Sequence, residues 1–240
     1  MARLKKNGNL SGAIGNLVFI NDGERVYVRA RPGSVEQTKN TRDAAAVFGW
    51  VSRQEKQFRL FLQERLGLVP QQYFAARHVA RLRKTVMQQE GDSGNMIARF
   101  QDPTALIGFD FNPKQTWERF TNFFPELERD ADHDYKLSIP ALSWGKEIKP
   151  PAFTNLITIN FHAISADLNQ PAVNPELIAT MAMEIREKEK LPAREWQFSL
   201  PAETRWLLVI AIITFDSVRK QISKTDKTAG TYLFAKSIHN

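Results

Sequence analysis

The sequence predicts an α+β protein in which an N-terminal β-hairpin and long amphipathic helices precede an antiparallel β-sandwich-like C-terminal part. Three observations predict this class. Two β-rich segments flank a turn at residues 21–24, apolar residues recur at helical spacing from Ala44 to Leu62, and short proline-punctuated strands follow Tyr135. We expect a boundary near the acidic run Glu126 to Asp134. It would separate a basic hairpin-plus-helical domain, 1–134, from a sandwich-like domain, 135–240.

The first element is the hairpin. Segments 14–20 and 25–30 are rich in β-branched and aromatic residues, and the four residues between them, Asn-Asp-Gly-Glu, suit a tight turn. Side chains alternate along a strand, so one face should carry Arg25, Tyr27, Arg29 and Arg31. Arginines beside an aromatic ring can contact phosphates and bases. Solvated arginines beside a packed tyrosine would give the same pattern.

Helices come next. Ser34 and Gln37 have the spacing of a capping box, and Asn40 and Thr41 offer a second start. The apolar repeat then predicts one long helix to about Leu66. A second helix is expected over 71–89. It would place Arg77, Arg81 and Lys84 in one row, a pattern that suits a phosphate backbone but is more often a solvated helix face.

The C-terminal part is predicted to be β-rich. In the strand from Leu156, apolar residues alternate with polar ones, which indicates one buried face. The stretch Leu207–Ile213 is apolar on both faces and suits a central strand. Short strands separated by turn signals favour an antiparallel sandwich or barrel. The predicted strands are Leu137–Leu142, Leu156–Ile164, Ala179–Ile185, Glu195–Leu200, Arg205–Phe215 and Thr231–Ile238.

Charge is distributed unevenly. Residues 1–90 hold 16 Lys and Arg against 7 Asp and Glu, whereas 91–240 hold 17 against 19. This excess of positive charge favours a polyanion or an acidic protein as a partner of the N-terminal part. The alternative is a basic surface that is only solvated and binds no partner. The candidate polyanion-binding residues are Arg25, Arg29, Arg31, Arg53, Lys56, Arg77, Arg81 and Lys84.

The opening residues 10–19 (LSGAIGNLVF), the segment 26–29 (VYVR) and Pro32 with Gln37, Thr38 and Thr41 form a recognisable pattern. It resembles that of an uncharacterised family of bacterial proteins, which begin with a Gly-rich hairpin and continue through helices to a β-rich part. The resemblance covers mainly residues 8–50. It implies this architecture and carries no activity, ligand or catalytic residue.

Several chemistries are disfavoured. Gly91-Asp92-Ser93-Gly94 matches the nucleophile segment of chymotrypsin-like proteases, but the only histidine before it, His78, falls in a predicted helix. Asp130, Asp132 and Asp134 have calcium-loop spacing, yet Tyr135 and Ala141 stand where the loop needs glycine and an acid. The early glycines lack the lysine of a phosphate loop. The four histidines show no metal-ligand spacing, and His162 is expected at the surface.

We therefore expect no catalytic site, no cofactor and no metal. The chain has no cysteine, which excludes disulfides and Cys-ligated zinc and fits the cytoplasm. It shows no signal peptide and no membrane span, so we expect no membrane partner. The sequence favours a non-enzymatic structural or interaction protein that forms homo-oligomers. The alternative is a nucleic-acid-binding packaging or coat-like protein that acts through the basic N-terminal surface. An unrecognised enzyme or ligand-binding sandwich stays open as a third hypothesis.

Overall fold

The computed structural model describes residues 2–4, 8–21, 25–31, 33, 36–69, 71, 73–90, 96–130, 133–217 and 228–238. The chain divides into two compact units, Met1–Ala44 and Ala45–Asn240. The sequence indicates a boundary near 134 instead. Arg129 and Tyr135, on the two sides of that predicted boundary, pair in one antiparallel sheet. The division into domains 1–134 and 135–240 stays a prediction.

The N-terminal unit is a four-stranded antiparallel sheet in the order β1-β2-β3-β4. Its strands are β1 Arg3–Leu4, β2 Leu10–Ile14, β3 Leu17–Asn21 and β4 Val26–Ala30. The pairing of β3 with β4 confirms the predicted N-terminal hairpin, although its turn residues 22–24 lie outside the described residues.

A second hairpin precedes it, and here the sequence prediction was wrong. The expected strand over 14–20 is broken at Gly15 and Asn16, because Ile14 pairs with Leu17 across a two-residue turn. Gly15 has a φ of 53°, which a two-residue turn with glycine at its first position requires. The glycine therefore reverses the chain inside an apolar run that otherwise reads as a single strand.

Helix α1, Lys39–Leu66, confirms the first predicted helix over its 28 residues. The Thr41 N–H donates to the Thr38 hydroxyl at 3.3 Å, which satisfies one open donor of the first turn. The proposed capping residue Ser34 lies outside the described residues. The buried side of α1 carries Val47, Val51, Phe58 and Leu62.

The second predicted helix is much shorter than expected. Helix α2 is Phe74–Arg83, and the chain then forms a hairpin of β5 Val86–Glu90 and β6 Met96–Phe100. The expectation of several long helices was therefore wrong, since α1 alone is long. The apolar pattern of residues 86–90 does not distinguish a strand from a continued helix. Their pairing with β6 decided their conformation. The loop 91–95 lies outside the described residues.

Short elements connect this hairpin to the C-terminal strands. A 3-10 helix spans Pro103–Leu106, the four-residue α3 spans Trp117–Phe120, and β7 is Glu126–Arg129. The aromatic residues 117–124, which have helix-like spacing, thus form only one helical turn.

All six strands predicted after residue 134 are present, with ends that differ by a few residues. The strands of this part are β8 Asp134–Ile139, β9 Leu142–Ser143, β10 Thr154–Ala166, β11 Glu176–Arg186, β12 Lys190–Leu191, β13 Arg194–Ser199, β14 Trp206–Ser217 and β15 Thr228–Ser237. They form an antiparallel sheet β11-β10-β14-β15, a sheet β13-β8-β7 and a pair β12-β9. As predicted, β14 is a central strand with both faces buried.

Each face of the four-stranded sheet contributes to a different apolar cluster. On one face, Ile159, Phe161 and Val209 pack with Leu137 of β8 and Phe198 of β13. On the other, Leu208 and Ile210 pack with residues of α1 and α2. The C-terminal part is therefore not a clear β-sandwich, and that prediction was wrong, because helices from earlier in the chain share its core.

Candidate functional site

The N-terminal sheet has two chemically different faces. Residues paired directly across antiparallel strands point to the same side, so the register assigns every side chain to a face. We call one the arginine face; it carries Arg3, Ser11, Ala13, Val18, Ile20, Tyr27 and Arg29. We call the other the apolar face; it carries Leu4, Leu10, Gly12, Ile14, Leu17, Phe19, Asn21, Val26, Val28 and Ala30.

The apolar face is largely exposed. The exposed fraction is 71% for Leu4, 52% for Ile14, 48% for Leu17, 50% for Val26 and 48% for Val28. None of the described residues in Met1–Ala44 is buried. A contiguous apolar surface of this kind on a folded protein marks an interaction site more often than a solvated one.

The arginine face brings together the predicted basic residues of the N-terminal hairpin. Tyr27 and Arg29 share this face by register, and the ladder continues to Arg31, whose N–H donates to the Asn16 carbonyl at 2.6 Å. Arg25 precedes the strand. All four side chains are exposed.

The other predicted basic residues lie in the second unit and do not form one surface. Arg53 and Lys56 are exposed on α1. Arg77 and Arg81 of α2, and Lys84 just after it, line a pocket of about 330 Å³ together with Phe109 and Asp110. The row predicted from helical spacing is therefore real, but it faces a loop of its own unit.

Two of these cations are already engaged there. The Arg77 guanidinium donates to the Asp110 carbonyl and lies 4.9 Å from the centre of the Phe109 ring. Arg81 donates to the Ala105 carbonyl at 3.4 Å. Burial lowers the pKa of Arg77 and raises the pKa of Asp110. These contacts fix the loop after the 3-10 helix and leave Lys84 as the most exposed cation of the row.

A polar network is buried in the helix-facing core. His78 Nδ1 lies 3.1 Å from Glu55 Oε1, and His78 Nε2 lies 3.0 Å from the Tyr232 hydroxyl. Burial lowers the pKa of His78, which favours the neutral ring. Nδ1 then donates to the carboxylate, and Nε2 accepts from Tyr232. Arg59 Nε also donates to Glu55, at 3.0 Å. Since His78, Glu55 and Tyr232 are each at most 1% exposed, this network links helix to sheet and cannot touch a substrate.

A groove of about 1050 Å³ lies beside the β5–β6 hairpin. Met87 and Ile97 contribute an apolar wall and are 39% and 48% exposed. Cations line it too, namely Arg99, Arg205 and Lys236, all exposed and without an ion pair among the described residues. We call this the hairpin groove.

Hydrogen bonds between segments that are distant in the chain hold the walls of the hairpin groove. The Asn169 side-chain amide accepts from the Phe100 N–H at 2.8 Å and donates to the Phe100 carbonyl at 3.0 Å. Gln54, 1% exposed, donates to the carbonyls of Leu168 and Gln170 at 2.9 and 2.6 Å. Trp206 Nε1 donates to the Gln101 carbonyl at 3.0 Å. These bonds join α1, the turn 168–170, the end of β6 and β14 around the groove.

Sequence reasoning missed this groove entirely. Asn169 and Gln54 are ordinary polar residues in a turn and on a helix, and no motif marks them. The expectation for His162 was also wrong: it is 8% exposed, because the helix-facing layer covers its side of β10. Within the described part of the chain, no three His, Asp or Glu residues form a group that could hold a metal ion.

Comparisons with known proteins place no limits on the function. No family model, no curated protein and no solved structure matches the chain. The resemblance to an uncharacterised bacterial family therefore stays a prediction. Among the described helices, none has both the length and the apolar character that crossing a bilayer requires.

Proposed function

We propose that the chain is a non-enzymatic structural or interaction protein that self-associates through the apolar face of its N-terminal sheet. The observation that carries the proposal is that this face leaves Leu4, Ile14, Leu17, Val26 and Val28 about half exposed or more. A sheet whose unit buries none of its described residues gains its missing core when a second layer covers it.

A second copy of the same face is a fitting cover. No charged side chain lies on the apolar face by register, so two copies can pack sheet on sheet without burying a charge. Full burial of an aliphatic side chain contributes about 1.5–3 kcal/mol, so burial of the exposed halves contributes roughly 1 kcal/mol each.

The test compares two neighbouring residues on β4. Val28→Lys places an ammonium in the centre of the apolar face, whereas Tyr27→Lys places it on the arginine face; the parent side chains are 48% and 49% exposed. We expect analytical ultracentrifugation to show a self-associating wild type, at least tenfold weaker association for Val28→Lys, and little change for Tyr27→Lys.

A monomeric wild type at about 100 μM, well above a micromolar dissociation constant, would overturn the proposal. Equal weakening by both lysines, or weakening by Tyr27→Lys alone, would overturn the assignment to the apolar face. Circular dichroism of both variants checks that each is folded, and Leu17→Lys on the same face provides a second variant.

The second candidate function is nucleic-acid binding through the arginine face, supported by the shared side of Tyr27, Arg29 and Arg31. Affinity for duplex DNA should fall steeply between 50 and 200 mM salt, because phosphate contacts release counterions. Arg29→Gln with Arg31→Gln should weaken binding and reduce the salt dependence, whereas Arg186→Gln with Arg194→Gln, in the second unit, should not. Salt-independent binding, or none at low salt, removes this candidate.

We place the protein in the cytoplasm as part of the same proposal, on the ground that its 240 residues include no cysteine. Fractionation of the source cells, with immunodetection of the chain, tests this placement.

A further inference from the structure

We propose that the hairpin groove binds an extended acidic peptide of a partner protein, which adds as a third strand to the free edge of β6. The inference concerns the second unit and does not depend on self-association through the N-terminal sheet. Three features of the groove support it: its edge, its charge and its apolar wall.

The register shows which backbone groups of β6 point outward. The Gln101 N–H donates to the Thr85 carbonyl at 2.8 Å, so this pair exchanges ladder hydrogen bonds, and bonding alternates along the hairpin from there. Phe100 and Ala98 are then positions whose N–H and C=O point away from β5. Both groups of Phe100 indeed bond outward, to Asn169.

Asn169 therefore occupies the place of a neighbouring strand at Phe100. The next outward pair belongs to Ala98, about 7 Å along the strand, which is two residues of rise. Ala98 lines the hairpin groove, and within the described part of the chain its outward N–H and C=O have no partner. An unpaired donor and acceptor side by side on an edge strand form a template for another backbone.

Charge selects the kind of peptide. The three groove cations Arg99, Arg205 and Lys236 are exposed and unpaired among the described residues. The two carboxylates that line the groove already accept hydrogen bonds from nearby backbone N–H groups. Asp102 accepts from the Thr104 N–H at 3.0 Å, and Asp167 accepts from the Asn169 N–H at 2.9 Å. The groove therefore has three cations against two carboxylates, and the cations are the charged groups left open to a ligand's carboxylates.

A peptide fits the groove better than a nucleic acid. The Ala98 edge offers one donor and one acceptor, which match a peptide backbone, whereas a phosphodiester offers no donor. The aromatic rings Phe100 and Trp206 are 4% and 3% exposed, so they provide no stacking platform for bases. The aliphatic wall of Met87 and Ile97 instead suits alternate apolar side chains of a strand.

The probe is a fluorescein-labelled ten-residue peptide of alternating threonine and glutamate, with the full chain as its receptor. Fluorescence anisotropy should report binding that weakens with salt. The same peptide with lysine in place of glutamate should bind at least about tenfold more weakly, because the groove cations then repel it. An unlabelled oligothymidylate should not displace the bound glutamate peptide, because any nucleic acid held by the arginine face lies outside the groove. The proposal is overturned if the lysine peptide binds as tightly as the glutamate peptide, or if the oligothymidylate displaces it.

A proline pair tests the edge. Ala98→Pro removes the outward N–H without removing a ladder hydrogen bond, and proline is tolerated on edge strands. Gln88→Pro is the matched control, since Gln88 pairs with Ala98 and faces the opposite edge of the hairpin. We expect at least about tenfold weaker binding for Ala98→Pro and binding within about twofold of wild type for Gln88→Pro. Equal behaviour of the two variants overturns the proposal.

A charge pair and one spectroscopic measurement remain informative even if a proline variant does not fold. Arg205→Gln with Lys236→Gln should weaken binding about fivefold and flatten its salt dependence, unlike Lys149→Gln with Lys190→Gln on exposed positions elsewhere. In the wild type, the glutamate peptide should slow hydrogen exchange of the Ala98 amide. Unchanged exchange at saturating peptide overturns strand addition.

Discussion

Strands β4 and β14 are both rich in β-branched and aromatic residues but have opposite environments. From Trp206 to Ile213, every residue of β14 is buried, and both faces of the strand meet a layer of the second unit. Every residue of β4 is exposed. The difference teaches that strand composition specifies a sheet, whereas the number of layers packed on that sheet decides what is buried.

This contrast also separates two kinds of exposed apolar residue. The isolated exposed Phe124 and Phe153 need no explanation, because scattered apolar side chains are normal at surfaces. The N-terminal sheet differs because its exposed apolar residues share one face by register. That shared face, and not hydrophobicity alone, is the basis for proposing association.

The largest expected effect is the difference in stability loss between two Phe→Ala substitutions, one in each unit. Phe161 is fully buried on β10, so Phe161→Ala should lower the free energy of unfolding by about 3–5 kcal/mol. Phe19→Ala on the half-buried β3 should cost about 1 kcal/mol or less at a protein concentration that keeps the chain monomeric. Urea denaturation of both variants measures the difference. Equal losses would show that the N-terminal sheet has a core of its own.

A smaller effect is expected from the buried network, with an exposed acid of the same helix as the control. Glu55→Ala leaves His78 Nδ1 and Arg59 Nε without their acceptor, which should cost about 2–3 kcal/mol. Glu64→Ala, at an exposed position of α1, should cost less than about 0.5 kcal/mol. Glu55→Gln keeps an acceptor for Nδ1 and should fall between the two. Thermal or urea unfolding provides the measurement, and equal losses at 55 and 64 would contradict a structural role for the network.

A pH dependence through histidine is expected in the second unit alone, since residues 1–44 contain no histidine. Burial lowers the pKa of His162 from its ordinary 6.5 to about 4. The unfolded chain therefore binds its proton first, and stability falls as the pH drops from 6.5 towards 4. His162→Asn, which can still bond Thr180, should reduce that fall relative to wild type. Unfolding curves between pH 7 and 4 test this, and parallel profiles of the two proteins would contradict it.

The sequence predicted most elements where periodicity was strong. Helix α1 and the six strands after residue 134 follow from spacing and alternation alone. Failures occurred where a local pattern was ambiguous. Residues 86–90 read as a continued helix but pair with β6, and Gly15 reverses a run that reads as one strand. In both places, pairing with a distant segment or a backbone angle decided the outcome.

The candidate sites were predictable only in part. The shared face of Tyr27 and Arg29 follows from a period of two, and the row from Arg77 to Lys84 follows from helical spacing. That Arg77 is engaged with the Asp110 carbonyl could not be foreseen, because the two residues lie on different elements. The hairpin groove had no sequence signal at all, since its walls come from three distant segments held by Gln54, Asn169 and Trp206.

By itself, the sequence determined the secondary structure of the long elements, the absence of cysteine chemistry and the basic character of the first ninety residues, because these depend on local periodicity and composition. Tertiary structure alone decided which sheet faces are covered, which cations are engaged and where a backbone edge is left open. The physical reason is that burial and hydrogen-bond completion depend on residues far apart in the chain, which no local pattern encodes.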